Sequence, residues 1–398
     1  MSSATDALPA AVDRLRERLV GIRRDLHRHP ELSFEEHRTA ELCARRCEEL
    51  GFSVRAGHGG PTAVTADLAG SGEGPMLMVR ADTDALPILE REVDGRPVTS
   101  GTEGAMHACG HDGHVAMALG VAELLASMRN QWAGTLRMCF QPAEEVAGGA
   151  QPMIDAGAAD GVDAVLGIHL WSPLEAGRVG VTEGPIFGSA DEFRVAVRGR
   201  GGHGGLPHTS IDPIVASAAV VTALQTIVSR ETSPFDPVVV TIGRIEGGSA
   251  FNVIAEEVLL RGTVRALDQE IRERTLARVR EVATAVAAAH RCEAVFERWG
   301  GCPPVINHAG MANLVRRAAV AAVGEEAVVA STPITVGDDV ALFLQRAPGC
   351  YFLVGAGRPG RENAPHHHPE FDIDEACLPV GAEVMTRAAL DILVPATA

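Results

Sequence analysis

Hydrophobic residues recur along this chain in two rhythms, and the switches between them mark most of its elements. Val12, Leu15, Leu19, Ile22 and Leu26 return at helical spacing among arginines and acids. That predicts a helix over residues 10–29, ended by Pro30. A second helix is expected over 33–50, with Ser33 as its cap, Glu36 three residues on and Gly51 as its stop. His27 and His29, at the end of the first helix, read as cations that complement its terminal dipole. Strand-like runs follow at 52–55, 63–68 and 76–80, broken by glycine-rich turns. The third run is mostly apolar, as a strand buried on both faces would be. Next come an alanine- and leucine-rich helix over 115–128, a strand over 135–140, and an apolar strand over 163–169 that His169 terminates.

The texture changes near residues 180–188. Alternation at Phe193, Val195 and Val197 opens a β-α-β-β-α-β series: helix 212–229, strands 238–245 and 258–266, helix 268–289 and strand 294–299. This order resembles the ferredoxin-like unit. The α/β texture then returns with helices over 309–323, 339–346 and 374–393 and a strand over 350–354. The expected architecture is one α/β domain built from residues 1–186 and 300–398, interrupted by a smaller α+β domain over 187–299.

Composition narrows the partners. A length of 398 residues favours two domains, and 46% hydrophobic residues is a globular share. A formal charge of -17 argues against nucleic acid or an anionic membrane. Residues 1–11 lack a signal-peptide pattern, and no apolar run reaches membrane-spanning length. The eight cysteines are scattered rather than framed, which predicts reduced thiols and a cytoplasmic location.

The chemistry collects at strand ends. The strand over 76–80 runs into Arg80-Ala81-Asp82-Thr83-Asp84-Ala85-Leu86-Pro87, and that over 135–140 into Gln141-Pro142-Ala143-Glu144-Glu145. Open α/β sheets place their sites at such ends. Between them, Met106 to His114 holds His107, Cys109, His111, Asp112 and His114 within nine residues. Cys109 and His111, two apart, can converge on one point. Thiolate and imidazole suit zinc, and imidazole also suits manganese, cobalt or nickel. His366, His367 and His368 stand together in a proline-bounded loop, and one of them is a distant candidate ligand. The candidates are thus Cys109, His111, Glu144 or Glu145, His169 and one of the three late histidines. Five donors exceed the needs of a structural zinc, and an extra carboxylate is what metal-assisted hydrolysis uses to move a proton.

Seven stretches carry a family resemblance: residues 25–33, 80–87, 106–114, 141–145, 202–208, 252–254 and 367–371. Together they resemble, in order and across almost the whole chain, the metal-dependent N-acyl-amino-acid amidohydrolases of the hippurate hydrolase and auxin-conjugate hydrolase group. That group belongs to the aminoacylase and zinc-carboxypeptidase superfamily. The resemblance implies a zinc-peptidase-like catalytic domain with an inserted ferredoxin-like lid or dimerisation domain. It implies one or two divalent ions (zinc, manganese, cobalt or nickel) held by Cys109, His111, Glu145, His169 and His367, with Cys109 as the bridge if two bind. Glu144 is implied as general base and Asp84 as an acid behind the metal centre. His203 is implied to assist the carbonyl oxygen and Asn252 to receive the substrate carboxylate. The implied substrate is an N-acyl amino acid, and the implied assembly a homodimer.

Some positions depart from the family pattern: Thr83, Gly204, Gly205, Ala255-Glu256 and, above all, Asp338-Asp339-Val340. Three rival readings follow. Cys109 between His107 and His111 would serve a thiol nucleophile, which leaves Glu144, Glu145, His169 and His367 unexplained. A dipeptidase or carboxypeptidase of the same superfamily would use the same centre. A non-catalytic metal-binding relative would keep the centre and lose turnover through the Asp338 region.

Overall fold

A computed structural model describes residues 6–394. Two compact units emerge. One gathers residues 6–184, 306–332 and 339–394; the other gathers residues 185–305 and 333–338.

The first unit is built on an eight-stranded sheet. Its strands are β1 (Ser53–Ala56), β2 (Val64–Ala69), β3 (Met76–Asp82), β4 (Thr135–Gln141), β5 (Ala164–Glu175), β6 (Val179–Gly180), β7 (Val328–Val329) and β8 (Gly349–Gly357). In space they run β1-β2-β4-β3-β5-β8-β6-β7. The central four, β4, β3, β5 and β8, are mutually parallel, so their C-terminal ends share one edge. Side-chain alternation divides the core. Leu77, Val79, Leu136, Met138 and Leu166 face helices α1 (Leu8–Arg28), α2 (His37–Glu49), α3 (His111–Ser127), α4 (Ala309–Val323) and α5 (Cys377–Leu393). Met78, Cys139 and Val165 face the opposite way, against Met153 and Phe343 of two short helices.

The second unit has four antiparallel strands, in the order Val238–Gly247, Glu257–Ala266, Ala190–Arg198, Glu293–Cys302. Helices Pro213–Thr226 and Gln269–Ala289 cover one face, capped by the carboxylates of Asp212 and Asp268. This is the ferredoxin-like order expected from the pattern.

Several local expectations change. Helix α2 starts at His37, not Ser33, because Phe34 takes a left-handed φ of 66°. The Ser33 hydroxyl donates instead to Asp84 Oδ2 at 2.7 Å. Helix α3 starts at His111, four residues early, because Gly110 at φ 93° turns the chain straight into it. His169 lies within β5 rather than ending it, since β8 goes on pairing with β5 as far as Glu175. One helical run, Pro213–Glu231, is after all long and apolar enough to cross a membrane by length and composition. It reaches that length because a π-turn extends it past Thr226, and its buried face, with Val220 and Leu224, packs in the second unit's core.

His27 is not a surface cation. Its ring is buried, with Nδ1 2.8 Å from Asp112 Oδ2 and Nε2 3.1 Å from Glu90 Oε1. Asp112 also accepts from Arg23 Nε at 2.9 Å, and the buried Arg23 reaches Asp372 and Glu375 at 3.4 and 3.3 Å. This network fastens α1 to the first turn of α3, where a carboxylate also suits the helix dipole. Burial alone would raise the Asp112 pKa, but Arg23 and His27 hold it far below the usual carboxylate range. Its contribution to stability is therefore present above pH about 4 and fades as pH falls toward the depressed folded-state value. Arg23→Ala strands the acids it pairs, and chemical denaturation at pH 7 should show a loss of about 3–5 kcal/mol. A loss under 1 kcal/mol would mean that the network does not hold α3.

Candidate metal centre

The end of β3 shapes the end of β4. The Asp84 carboxylate accepts the backbone amides of Glu144 and Glu145 at 3.1 Å each, besides the Ser33 hydroxyl. Ala143 and Ala147 flank that turn in left-handed conformations, at φ 54° and 49°. Such backbone costs roughly 1–2 kcal/mol per residue. The Ala143 amide donates to the Glu36 carboxylate at 2.8 Å, which offsets part of that strain. Together these contacts aim the two glutamates.

Cys109 Sγ, a His111 ring nitrogen and a Glu145 oxygen lie within 4.8 Å of one another. His111 Nδ1 donates to the Asp84 carbonyl at 2.9 Å, so Nε2 is the ring nitrogen left to face the acids. That Nε2 lies 3.7 Å from Glu145 Oε1 and 3.8 Å from Glu144 Oε2. Among the described residues, His111 Nε2 and Glu145 Oε1 are buried with no hydrogen-bond partner. Leaving such atoms unsatisfied costs about 1–3 kcal/mol each. Two buried polar atoms beside a thiol, with no hydrogen bond between them, are the complement of a divalent cation. The residues fit a metal.

A second group adjoins the first through the same sulfur. His169 Nε2 lies 3.6 Å from Cys109 Sγ, while its Nδ1 is 2.6 Å from the Leu170 carbonyl. His366 Nδ1 lies 3.8 Å from Cys109 Sγ, and Cys109, His169 and His366 form a further possible ligand set. His367 Nε2 lies 3.3 Å from Glu145 Oε2, with its ring half exposed and its backbone at φ 64°. All five residues implied as ligands therefore meet at one place. His368 turns aside, its Nδ1 accepting from the Glu370 amide at 3.1 Å.

Behind the donors lies a layer that sequence reasoning left without roles. Asp82 Oδ1 meets His114 Nδ1 at 2.6 Å, and Oδ2 accepts from Arg80 at 2.5 Å. His114 Nε2 accepts the Leu170 amide at 2.8 Å. Arg80 also donates to Gln141 and Asp339, and Asp339 accepts from Gln141 Nε2 at 2.6 Å and the Ala150 amide at 3.1 Å. Two signals could have found it: Arg80 ends an otherwise apolar run, and His114 follows His111 by three residues, one helical turn. Asp339, flagged in the sequence as a departure, anchors this layer. Burial would lower the His111 pKa, but Asp82, Asp84 and Glu145 raise it to about 10. Burial would raise that of Asp82, yet His111, Arg80 and His114 hold it well below its ordinary value.

In the second unit, the two-residue strands Gly202–His203 and Val253–Ile254 pair, with His203 opposite Val253. The Gly204 amide donates to the Asn252 carbonyl at 2.8 Å, so His203 and Asn252 are neighbours on one exposed ribbon.

A parallel-sheet edge carrying thiol, imidazole and carboxylate donors beside a further glutamate defines a metal-dependent hydrolase. The chain belongs to Peptidase family M20/M25/M40, whose family model matches residues 78–391. It is 40% identical over 376 residues to an N-acetyl-L-cysteine deacetylase of Bacillus subtilis, covering 93% of this chain and 87% of that one. It is 37% identical over 384 residues to an IAA-amino acid hydrolase of Arabidopsis thaliana, covering 94% and 85%. The crystal structure of a dinuclear metal-binding peptidase of family M20 from Bacillus subtilis superposes with a TM-score of 0.82 at 35% identity, covering 96% of this chain and 99% of that one.

Asp84→Asn removes one acceptor oxygen from the turn that carries both glutamates. Urea denaturation of the metal-free protein should show a loss of about 1–3 kcal/mol. An unchanged midpoint would mean that Asp84 does not hold that turn.

Proposed function

We propose that this protein is an amidohydrolase that cleaves N-acyl amino acids to a carboxylic acid and a free amino acid, using one or two divalent ions. The observation that carries the reading is the Cys109, His111 and Glu145 group, with two buried polar atoms that no hydrogen bond satisfies. The ions would be held by Cys109, His111, Glu145, His169 and His367. When bound, such a metal acidifies water and polarises a carbonyl. Cys109 favours zinc, while the imidazoles also accept manganese, cobalt or nickel.

The chain's own residues do the rest. Glu144 takes the proton of the attacking water and returns it to the leaving amine. Asp84 keeps the Glu144–Glu145 turn in place through both backbone amides. His203 stabilises the carbonyl oxygen as it gains charge, and Asn252 receives the carboxylate of the substrate. The N-acetyl-L-cysteine deacetylase and the IAA-amino acid hydrolase both carry names of enzymes that act on an acylated amino acid, which supports this substrate class.

The protein works as a cytoplasmic homodimer in this account. Exposed Ile245 on the edge strand Val238–Gly247, with exposed Ile214 and Val215 on the neighbouring helix, offers a second copy an apolar face. The described cysteines form no disulfide, as a reducing compartment would keep them.

A panel of acetyl, benzoyl, long-chain, indole-acetyl and dipeptide substrates, assayed before and after chelation, tests the reading. Chelator-sensitive release from one acyl class is expected, restored by zinc, manganese or cobalt. Release from dipeptides alone would make the protein a peptidase, and no release despite bound metal would make it non-catalytic. Glu144→Gln should lower the rate about 10²–10⁴-fold with metal content unchanged. A near-wild-type rate would remove Glu144 from the mechanism. Light scattering should return twice the mass of one chain.

A further inference from the structure

His366 stands beside the metal centre with no part in the function proposed above. Its surroundings define which of its nitrogens carries hydrogen. Nε2 accepts the Ser172 amide at 3.2 Å. A backbone amide can only donate, so Nε2 holds a lone pair, the ring is neutral, and its single proton sits on Nδ1. That Nδ1 is the atom 3.8 Å from Cys109 Sγ, and the ring also hydrogen-bonds the Cys109 backbone, so its one N–H is shared between the carbonyl and the sulfur. A nitrogen that carries hydrogen cannot also bind a metal. Hence the His366 imidazole differs in kind from that of His169, whose Nδ1 faces the Leu170 carbonyl and whose Nε2 is left toward the sulfur.

The ring has little freedom to turn over. It stacks on Trp171 at 4.7 Å and 21°, and Phe371 lies tilted against it at 4.9 Å. Its edge contact with His169 measures 5.2 Å. The Ser172 hydroxyl donates to the Ala364 carbonyl at 3.0 Å, which ties the histidine loop to the strand that carries His169.

We propose that His366 is a positioning residue that donates an Nδ1–H hydrogen bond to the Cys109 sulfur, orienting the thiolate and drawing charge from it. A hydrogen bond to sulfur stabilises its lone pairs and so tunes what the thiolate gives a metal. The inference rests on the metal centre proposed above.

Cobalt-loaded protein provides the test, through the thiolate-to-cobalt charge-transfer band. His366→Phe keeps a flat ring against Trp171 without the N–H, and His366→Asn restores a side-chain N–H at similar reach. We expect equal cobalt per chain in all three proteins, a band at longer wavelength in His366→Phe, and a band close to wild type in His366→Asn. Should the phenylalanine variant fail to fold, His366→Leu asks the same of the band. An unmoved band in the variants lacking the N–H would overturn the inference. So would the loss of a cobalt equivalent, which would make His366 a ligand. Wild-type protein that takes up no cobalt would fail the metal centre itself, and the inference with it.

Discussion

Negative charge crowded at one edge of a parallel sheet is the constraint that orders this structure. Asp82 and Asp84 follow β3, and Glu144 and Glu145 follow β4, on strands that lie side by side. Left to themselves, buried carboxylates at such spacing would take up protons. Here Asp82 and Asp84 are answered by the chain itself. Arg80 and His114 meet Asp82, backbone amides and Ser33 meet Asp84, and His111 lies among Asp82, Asp84 and Glu145. What the protein's own hydrogen bonds do not answer is Glu145 Oε1 facing His111 Nε2. A divalent cation fits that remainder.

Precision at the centre depends on supports well away from it. Arg23 and His27, on α1, grip Asp112 on the first turn of α3, one residue from His111. Leu170 serves two histidines at once, its amide donating to His114 and its carbonyl facing His169 Nδ1. Two non-glycine residues in left-handed backbone bend the glutamate turn, and Glu36 and Asp84 satisfy the amides that the bend exposes. Strain of this kind persists where the surroundings over-determine it, as catalytic geometry requires.

The central sheet was legible because β3, β4 and β5 are apolar on both faces, and the second unit because its alternation is clean. The candidate donors Cys109, His111, Glu144 or Glu145, and His169 were legible as strand-end and motif residues, while the choice of Glu145 and of His367 came through family resemblance. What sequence reading missed was set by contacts between distant segments. Ser33 reads locally as a helix cap, yet its hydroxyl is taken by Asp84, 51 residues on. Gly110 hides the true start of α3, so His111 and His114 did not read as one helical face. His169 suggested a strand end because a polar residue usually breaks an apolar run; β8, more than 180 residues later, carries the strand past it. His366 could not be told from its neighbours until the Ser172 amide fixed its tautomer.

Counting metal is the most direct test of the central claim. Metal-free protein would be dialysed against zinc and, separately, manganese, and the bound ion measured per chain for wild type, Cys109→Ala and His169→Ala. The account predicts one or two tightly held ions in the wild type, and fewer in both variants while each remains folded. A wild type that retains no metal, or a Cys109→Ala variant that retains as much as the wild type, would contradict it.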